Sequence, residues 1–398
     1  MSPTVATARV GSARRWAMLA ASLAAQASSA VMVHGPAFLI PALRRQWTLS
    51  LAGAALVAAA STIGVMATLI AWGYVVDRIG ERTVLVTGLA GTTLAGTAAT
   101  RVHSGLGLGL VLLLAGAFAA STNAASGRIV VGWFPPHRRG FAMGIRQMAQ
   151  PLGVGVAALT MSVVGLRHGI GAAMWVPTAA TALAGLAVVL VVLDPPRHGT
   201  AAGVGARNPY VGQSFLWRVH LVSVLLVVPQ FVIWTFALVW LADVRGWSAG
   251  AAGALIAVSQ VAGALGRIGV GWCSDVVRSR MRPLRWVALA AAATMVALGL
   301  AAATMSGTAV VLLVVATAIT VADNGLAFTS VAERAGPFWS GRALGVQNTA
   351  QFLTASVVAP VAGAAIGSFG FPAVFAVAGL FALAATPLVP VRGEVAAG

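Results

Sequence analysis

Twelve polar side chains lie deep inside otherwise apolar stretches: Gln26, His34, Asn123, Gln147, Gln150, Gln230, Gln260, Asp323, Asn324, Gln347, Asn348 and Gln351. Polar groups are costly in hydrocarbon, so each is first a candidate for function. Asp323 is the single carboxylate in the set. Such a group can bind or release a proton as its surroundings change, which makes it a proton-coupling candidate; a structural acid neutralised by a buried arginine is the alternative. His34 is a second candidate, because imidazole titrates near neutrality, or else a histidine satisfied within its own helix. Arg146 suits an anion, since a guanidinium pairs with carboxylate or phosphate oxygens. Arg146 and Gln150 are four apart and Gln147 and Gln150 three apart, so they share a helical face; Gln347, Asn348 and Gln351 repeat the pattern. The substrate-binding candidates are therefore Gln26, His34, Asn123, Arg146, Gln147, Gln150, Gln230, Asn324, Gln347, Asn348 and Gln351. Each amide could instead be glue between helices.

The elements that must hold these groups are membrane helices. Hydrophobic residues make up 59% of the 398 and charged ones 8%, with a mean hydropathy of +0.92, far above a soluble domain. The net charge of +17 comes from 25 arginines and no lysine against eight acids. These arginines sit between apolar runs, where topology needs them, so nucleic acid is not the expected partner. A lone cysteine, Cys273, excludes an internal disulfide and a multi-cysteine metal site. The absence of HExxH, GxSxG and P-loop patterns argues against an enzyme, and no selectivity filter points to a channel. Neither cofactor nor metal is expected. Heavy use of Ala, Gly, Val and Arg fits a high-GC bacterial genome.

Division at charges and turn residues predicts twelve transmembrane helices: 16–42, 50–73, 83–100, 107–132, 141–165, 170–192, 218–241, 249–271, 285–305, 308–331, 343–367 and 371–390. The basic flank before the first span imitates a cleavable signal peptide, but the apolar run continues to Leu43, so a retained span is expected. A polar stretch over 194–217 reads as a cytoplasmic linker between bundles at 1–193 and 218–398. With the N-terminus inside, five arginines (44, 45, 101, 167, 245) fall outside, three (128, 146, 267) within spans, and the other 17 in the cytoplasm. Both termini are thus expected to be cytoplasmic.

The chain also repeats. GYVVDRIGER from Gly73 is echoed by GWCSDVVRSR from Gly271, 198 residues on, and RGFAMGIRQMAQPLG from Arg139 by SGRALGVQNTAQFLT from Ser340, 201 residues on. RRQWTLSLAGAAL from Arg44 is similarly echoed by VRGWSAGAAGAL from Val244. Parallel repeats of six spans imply two all-α, pseudo-symmetric six-helix bundles about an axis along the membrane normal, with a binding site between them near the midplane.

Gly73, Asp77, Arg78, Gly80 and Arg82 resemble the G-x-x-x-D-R-x-G-R-R signature of the major facilitator superfamily, with Glu81 where a basic residue is common. The second copy keeps Gly271 and Asp275 and has Arg278 and Arg280 nearby, but no arginine directly after the acid. The resemblance implies that fold, a monomer in the plasma membrane, and a conformational latch of Gly73, Asp77, Arg78, Arg82, Gly271 and Asp275, with Asp77 docking on span 11. It places spans 1, 4, 7 and 10 at the cavity. Arg267, eight residues before Asp275, and Arg128, seven before Pro135, either snorkel to the cytoplasmic surface or brace an inner gate. WFPPHRRGFAMGIRQ is loosely similar to a stretch in anion-carrying branches, whereas GIRQMAQPLGVG keeps Pro151 but has Gln150 where drug-efflux branches have Gly. The implied function is a proton-coupled secondary transporter moving a small organic solute, preferably an anion. An efflux antiporter for drugs or metabolites is the alternative, and a non-transporting sensor on the same fold a remote one.

Overall fold

The computed structural model describes residues 11–49, 51–195 and 208–394. Residues 1–10 of the expected N-terminal tail, with Arg9, and half of the linker, including Arg197 and Arg207, lie outside the described residues. Every regular element among the described residues is helical. In the first half these are α1 (Ser12–His34), α2 (Ile40–Trp47), α3 (Leu51–Ile79), α4 (Glu81–Ala99), α5 (Gly105–Trp133), α6 (Pro136–Arg146), α7 (Ala149–His168) and α8 (Ile170–Val191). The second half supplies α9 (Phe215–Val239), α10 (Ala249–Val277), α11 (Met281–Ala303), α12 (Thr308–Ile319), α13 (Asp323–Ala335) and α14 (Ser340–Ala385).

Fourteen helices make twelve crossings because three spans are broken and one helical run is double. Span 1 is α1 and α2 joined by a 3-10 turn over Gly35–Leu39; Pro36 and Pro41 open the new segments, where a missing N–H costs least. Span 5 breaks at Gln147–Met148 between α6 and α7, and span 10 at 320–322 between α12 and α13. The 46 residues of α14 are too many for one crossing, and the run turns at Gly370, whose φ of 77° admits glycine readily. Among the described residues, ten helical runs are both long and apolar enough to cross a membrane by themselves. Counting α14 twice adds one; the other is α4. It carries five threonines in 19 residues; three bond carbonyls of the helix itself, Thr87 to Thr83 (2.9 Å), Thr92 to Gly88 (2.8 Å) and Thr97 to Thr93 (2.9 Å), and Thr93 bonds Thr181 at 3.0 Å. The protein is thus an all-α, multi-pass membrane protein.

Caps and small residues set the local geometry. Ser104 accepts the Gly107 N–H at 3.2 Å and starts α5; Ser248 accepts the Ala251 N–H at 3.2 Å and starts α10. Glycines let helices approach closely: a Cβ on Gly116 of α5 would collide with the Ser61 backbone of α3, and one on Gly64 of α3 with the Leu113 carbonyl of α5. Gly116→Val is therefore expected to cost about 3 kcal/mol or more. A drop in the yield of monodisperse protein and in thermal unfolding temperature would show it, and wild-type values for both would refute it.

Two compact units emerge. The first comprises Met1–Phe134, Ala149–Arg207 and Gly336–Gly345; the second comprises Pro135–Met148, Asn208–Ala335 and Val346–Gly398. Each thus contains one short segment from the other half of the sequence. The first unit holds two buried clusters, one around Met32, Leu39, Leu112 and Met161 and one around Met18, Val76, Leu89 and Val188. The second is centred on Trp240, Met295, Leu313 and Phe375. Large apolar side chains such as Leu94, Leu106, Leu159 and Leu183 point outward, the arrangement acyl chains favour.

Candidate functional site

The repeated acids hold the same backbone geometry in each unit. In the first unit Asp77 lies in the last turn of α3. Its Oδ1 accepts the Gly341 N–H at 2.9 Å, and its Oδ2 accepts the Arg342 N–H at 3.1 Å and the Arg342 Nε at 2.9 Å. These N–H groups belong to the first turn of α14, where helical donors lack partners within the helix and the dipole favours an anion. Arg128 on α5 joins from the other side, with Nη1 2.7 Å from Asp77 Oδ1, Nε 2.8 Å from Glu81 Oε1 and Nη2 2.6 Å from the Pro337 carbonyl. Two buried carboxylates thus face two guanidiniums, the pairing that burial demands. Glu81, out of pattern in the signature, also begins α4, where negative charge suits the helix end. Gly73 makes the approach possible: a Cβ there would meet the backbone of Gly341.

In the second unit Asp275 of α10 accepts the N–H groups of Gly140 (3.0 Å) and Phe141 (2.9 Å) in α6. Gly140 and Gly271 are in mutual backbone contact, each barring a Cβ on the other. The arginine missing after Asp275 is supplied from farther along. Arg278 takes a left-handed conformation (φ 51°) that ends α10 and turns the chain. Arg280 then reaches back to Asp275, and its Nη2 meets the Pro136 carbonyl at 2.6 Å. Arg78 and Arg82 stand outside the Asp77 cluster. Arg78 lies over the Tyr74 ring at 4.2 Å. Arg82 bonds the Val189 carbonyl (2.7 Å) through Nη2, and its N–H bonds Asp194 (2.8 Å) at the end of span 6.

The polar groups at mid-span fall into internal networks. In the first unit Gln26 donates to Asn123 at 2.7 Å and accepts from Ser126 at 2.7 Å. Gln150 lies 3.4 Å from the His34 ring, and His34 ends α1 at the break in span 1. In the second unit Gln351 donates to Asn324 at 2.8 Å and Asn324 to Gln230 at 3.2 Å, linking spans 11, 10 and 7. The Gln26–Asn123 pair joins spans 1 and 4, and Gln230–Asn324 joins spans 7 and 10, so the duplication survives as a contact. Gln347 turns elsewhere: its Oε1 accepts from His220 Nδ1, and its Nε2 donates to Ser223. His220 Nε2 in turn shares a 3.0 Å hydrogen bond with the Tyr210 hydroxyl. Burial pushes the Tyr210 phenol, outside the spans, up to about 12, so it stays neutral at physiological pH. Asn348 is buried beside these groups in sequence.

All three intramembrane arginines are buried, so none snorkels. Arg146 is 1% exposed at the last turn of α6; its Nη1 lies 2.9 Å from Gln147 Oε1 and its guanidinium 5.6 Å from the Phe328 ring centre. Arg267 donates from Nε to the Val321 carbonyl and from Nη1 to the Gln147 carbonyl, both at 3.2 Å. Asp323, 2% exposed, begins α13 just past the break in span 10, where Arg267 bonds the Val321 carbonyl two residues before it. Reading the sequence alone missed Tyr210, His220 and the return of Arg280. The offset that aligns Asn123 with Asn324 is the signal that finds the paired amides.

Comparison with known proteins agrees with this architecture. Residues 17–359 match the Major Facilitator Superfamily. An uncharacterised MFS-type transporter of Mycobacterium tuberculosis is 47% identical over 384 residues, covering 96% of this chain and 86% of the relative. The fold is similar to that of FucP, solved in an outward conformation (TM-score 0.76, 16% identity, 95% of this chain and 99% of that one). A proton:xylose symporter, XylE, matches with a TM-score of 0.77 at 15% identity over 98% of each chain. The human organic anion transporter TETRAN matches with 0.73 at 15% over 94% of this chain and 99% of that one. With twelve crossings, repeated glycine and aspartate contacts and these likenesses together, the chain belongs to the Major Facilitator Superfamily of membrane transporters.

Proposed function

We propose that the protein is a proton-linked secondary carrier for a small organic solute, preferably an anion. It works by alternating access, as a monomer in the plasma membrane with both termini cytoplasmic. The observation that carries this reading is the adjacency of Asp323 and Asn324 at the break of span 10. The acid is buried at a half-helix N-terminus, and its neighbour belongs to the amide chain from Gln351 to Gln230. Discontinuous membrane helices often carry coupling sites of this kind. Protonation of Asp323 and occupation of the amides by a solute would therefore influence each other. The Asp77 and Asp275 clusters serve as latches, with Arg128 bracing the first.

The anion preference rests on Arg146, buried against Phe328 and Gln147. A thermal-shift screen of purified protein against metabolites and drugs, repeated with Arg146→Ala, tests it. The variant should lose about tenfold or more in affinity for anionic hits, the worth of one charge-assisted hydrogen bond. Unchanged affinity would remove Arg146 from the site. Saturable, gradient-driven flux of the hit in proteoliposomes separates a carrier from a sensor. One feature favours efflux of amphiphilic compounds as a second reading: an apolar cleft of about 840 Å³ in the second unit, between Val224 and Val228 of α9 and Leu353, Val357 and Phe369 of α14. Hits confined to amphiphiles would select that reading.

A further inference from the structure

The break in span 5 and the break in span 10 share one arginine, and the buried acid follows the second break. Arg267 of α10 bonds the Gln147 carbonyl at the end of α6 and the Val321 carbonyl two residues before Asp323. Both carbonyls sit at the span breaks, where a regular helical hydrogen-bond ladder is interrupted. The same helix holds α6 again through Asp275, eight residues farther on. α10 thus grips α6 at two points, and one of them is beside the proton site.

The first repeat provides an internal control. Gly144 crosses α10 at Arg267, and Gly345 crosses α3 at Leu69, with the same backbone contact. The offsets of 198 and 201 place Leu69 opposite Arg267 and Thr122 opposite Asp323. The crossing and the latch are present twice, but the cation and the acid occur together in one copy only. A structural need of the crossing itself would call for the arginine in both.

We propose that Arg267 is a positioning residue that transmits the charge of Asp323 to α6, holding its end while the acid is ionised and releasing it when the acid is neutral. The reason is the cost of burying a cation. Beside a carboxylate, Arg267 is compensated; beside a neutral acid it is an unpaired buried charge, which is strongly unfavourable. It then withdraws toward the cytoplasmic end of α10 and leaves the Gln147 carbonyl. Elements packed on α13 carry other titratable or charged groups: His137, Arg138, Arg139 and Arg146 on α6, Asp275 on α10, Arg218 and His220 on α9, and Arg282 and Arg285 on α11. Glu333 and Arg334 lie on α13 itself, α12 has none, and α14 has none from Val346 onward. Among these side chains, Arg267 bonds the Val321 carbonyl at the break that Asp323 follows.

The inference rests on the proton-coupling reading, and hydrogen–deuterium exchange can separate the two. The full chain in lipid nanodiscs is compared at mildly acidic and mildly alkaline pH, corrected for intrinsic exchange. In the wild type, the amides of 140–148 should exchange about tenfold faster on the acidic side, the expected effect of losing one charged hydrogen bond. Asp323→Asn and Arg267→Gln should each exchange fast at both. Arg267→Lys, which keeps the charge but lacks the fork needed to bridge two carbonyls, serves if the glutamine variant does not fold, with the same expectation. A wild type without the pH step, or an Arg267 variant that retains it, overturns the role of Arg267. If Asp323→Asn alone retains the step, the coupling reading itself fails.

Discussion

Asp323→Asn is expected to abolish accumulation driven by a pH gradient in proteoliposomes, down to the level of empty vesicles. Asparagine has nearly the shape of aspartate and keeps much of its hydrogen bonding at the start of α13, but it cannot exchange a proton. It also leaves Arg267 without its electrostatic partner. The measurement is solute uptake with and without an imposed pH gradient, using a hit from the thermal-shift screen. Uptake that still follows the gradient would exclude Asp323 from coupling. A variant inactive in every mode, with normal solute affinity, would instead indicate that the carrier is locked.

Asp77→Ala is expected to have the largest effect on stability. It removes a buried carboxylate that receives two backbone N–H groups, Arg128 and Arg342. Breaking one member of a buried ion pair costs about 3–5 kcal/mol, since the other charge stays buried. Glu81 retains Arg128 at 2.8 Å, and it moderates the loss without replacing the donors' partner at α14. Thermal unfolding in detergent reads the effect. Asp275→Ala should cost less, because Arg280 keeps Glu333 at 3.5 Å and the Pro136 carbonyl. Equal unfolding temperatures for wild type and Asp77→Ala would show that the cluster contributes no net stability, and the latch would need another basis.

Much of this was legible because a bilayer imposes a simple code. Apolar runs of fixed length, arginines between them and two copies of one motif were enough to expect twelve crossings and the parallel repeat. Span edges were less legible. α6 begins at Pro136, five residues before the expected start of span 5 at 141, because a short amphipathic segment docks on α10 before the apolar run begins. Arg128 was expected to snorkel or to brace an inner gate, and it belongs to a four-charge cluster whose members come from positions 77, 81, 128 and 342.

From the sequence alone came the membrane class, the approximate spans, the duplication and several of the buried polar groups, since each depends on local hydropathy or on spacing along the chain. Only the tertiary structure decided which group meets which. Arg267 joins two helix breaks, Arg280 stands in for a missing neighbour, and Gln347 turns to His220 rather than to the amide chain. Arg267 and Gln147 are separated by 120 residues of sequence, and no periodicity encodes a contact at that range.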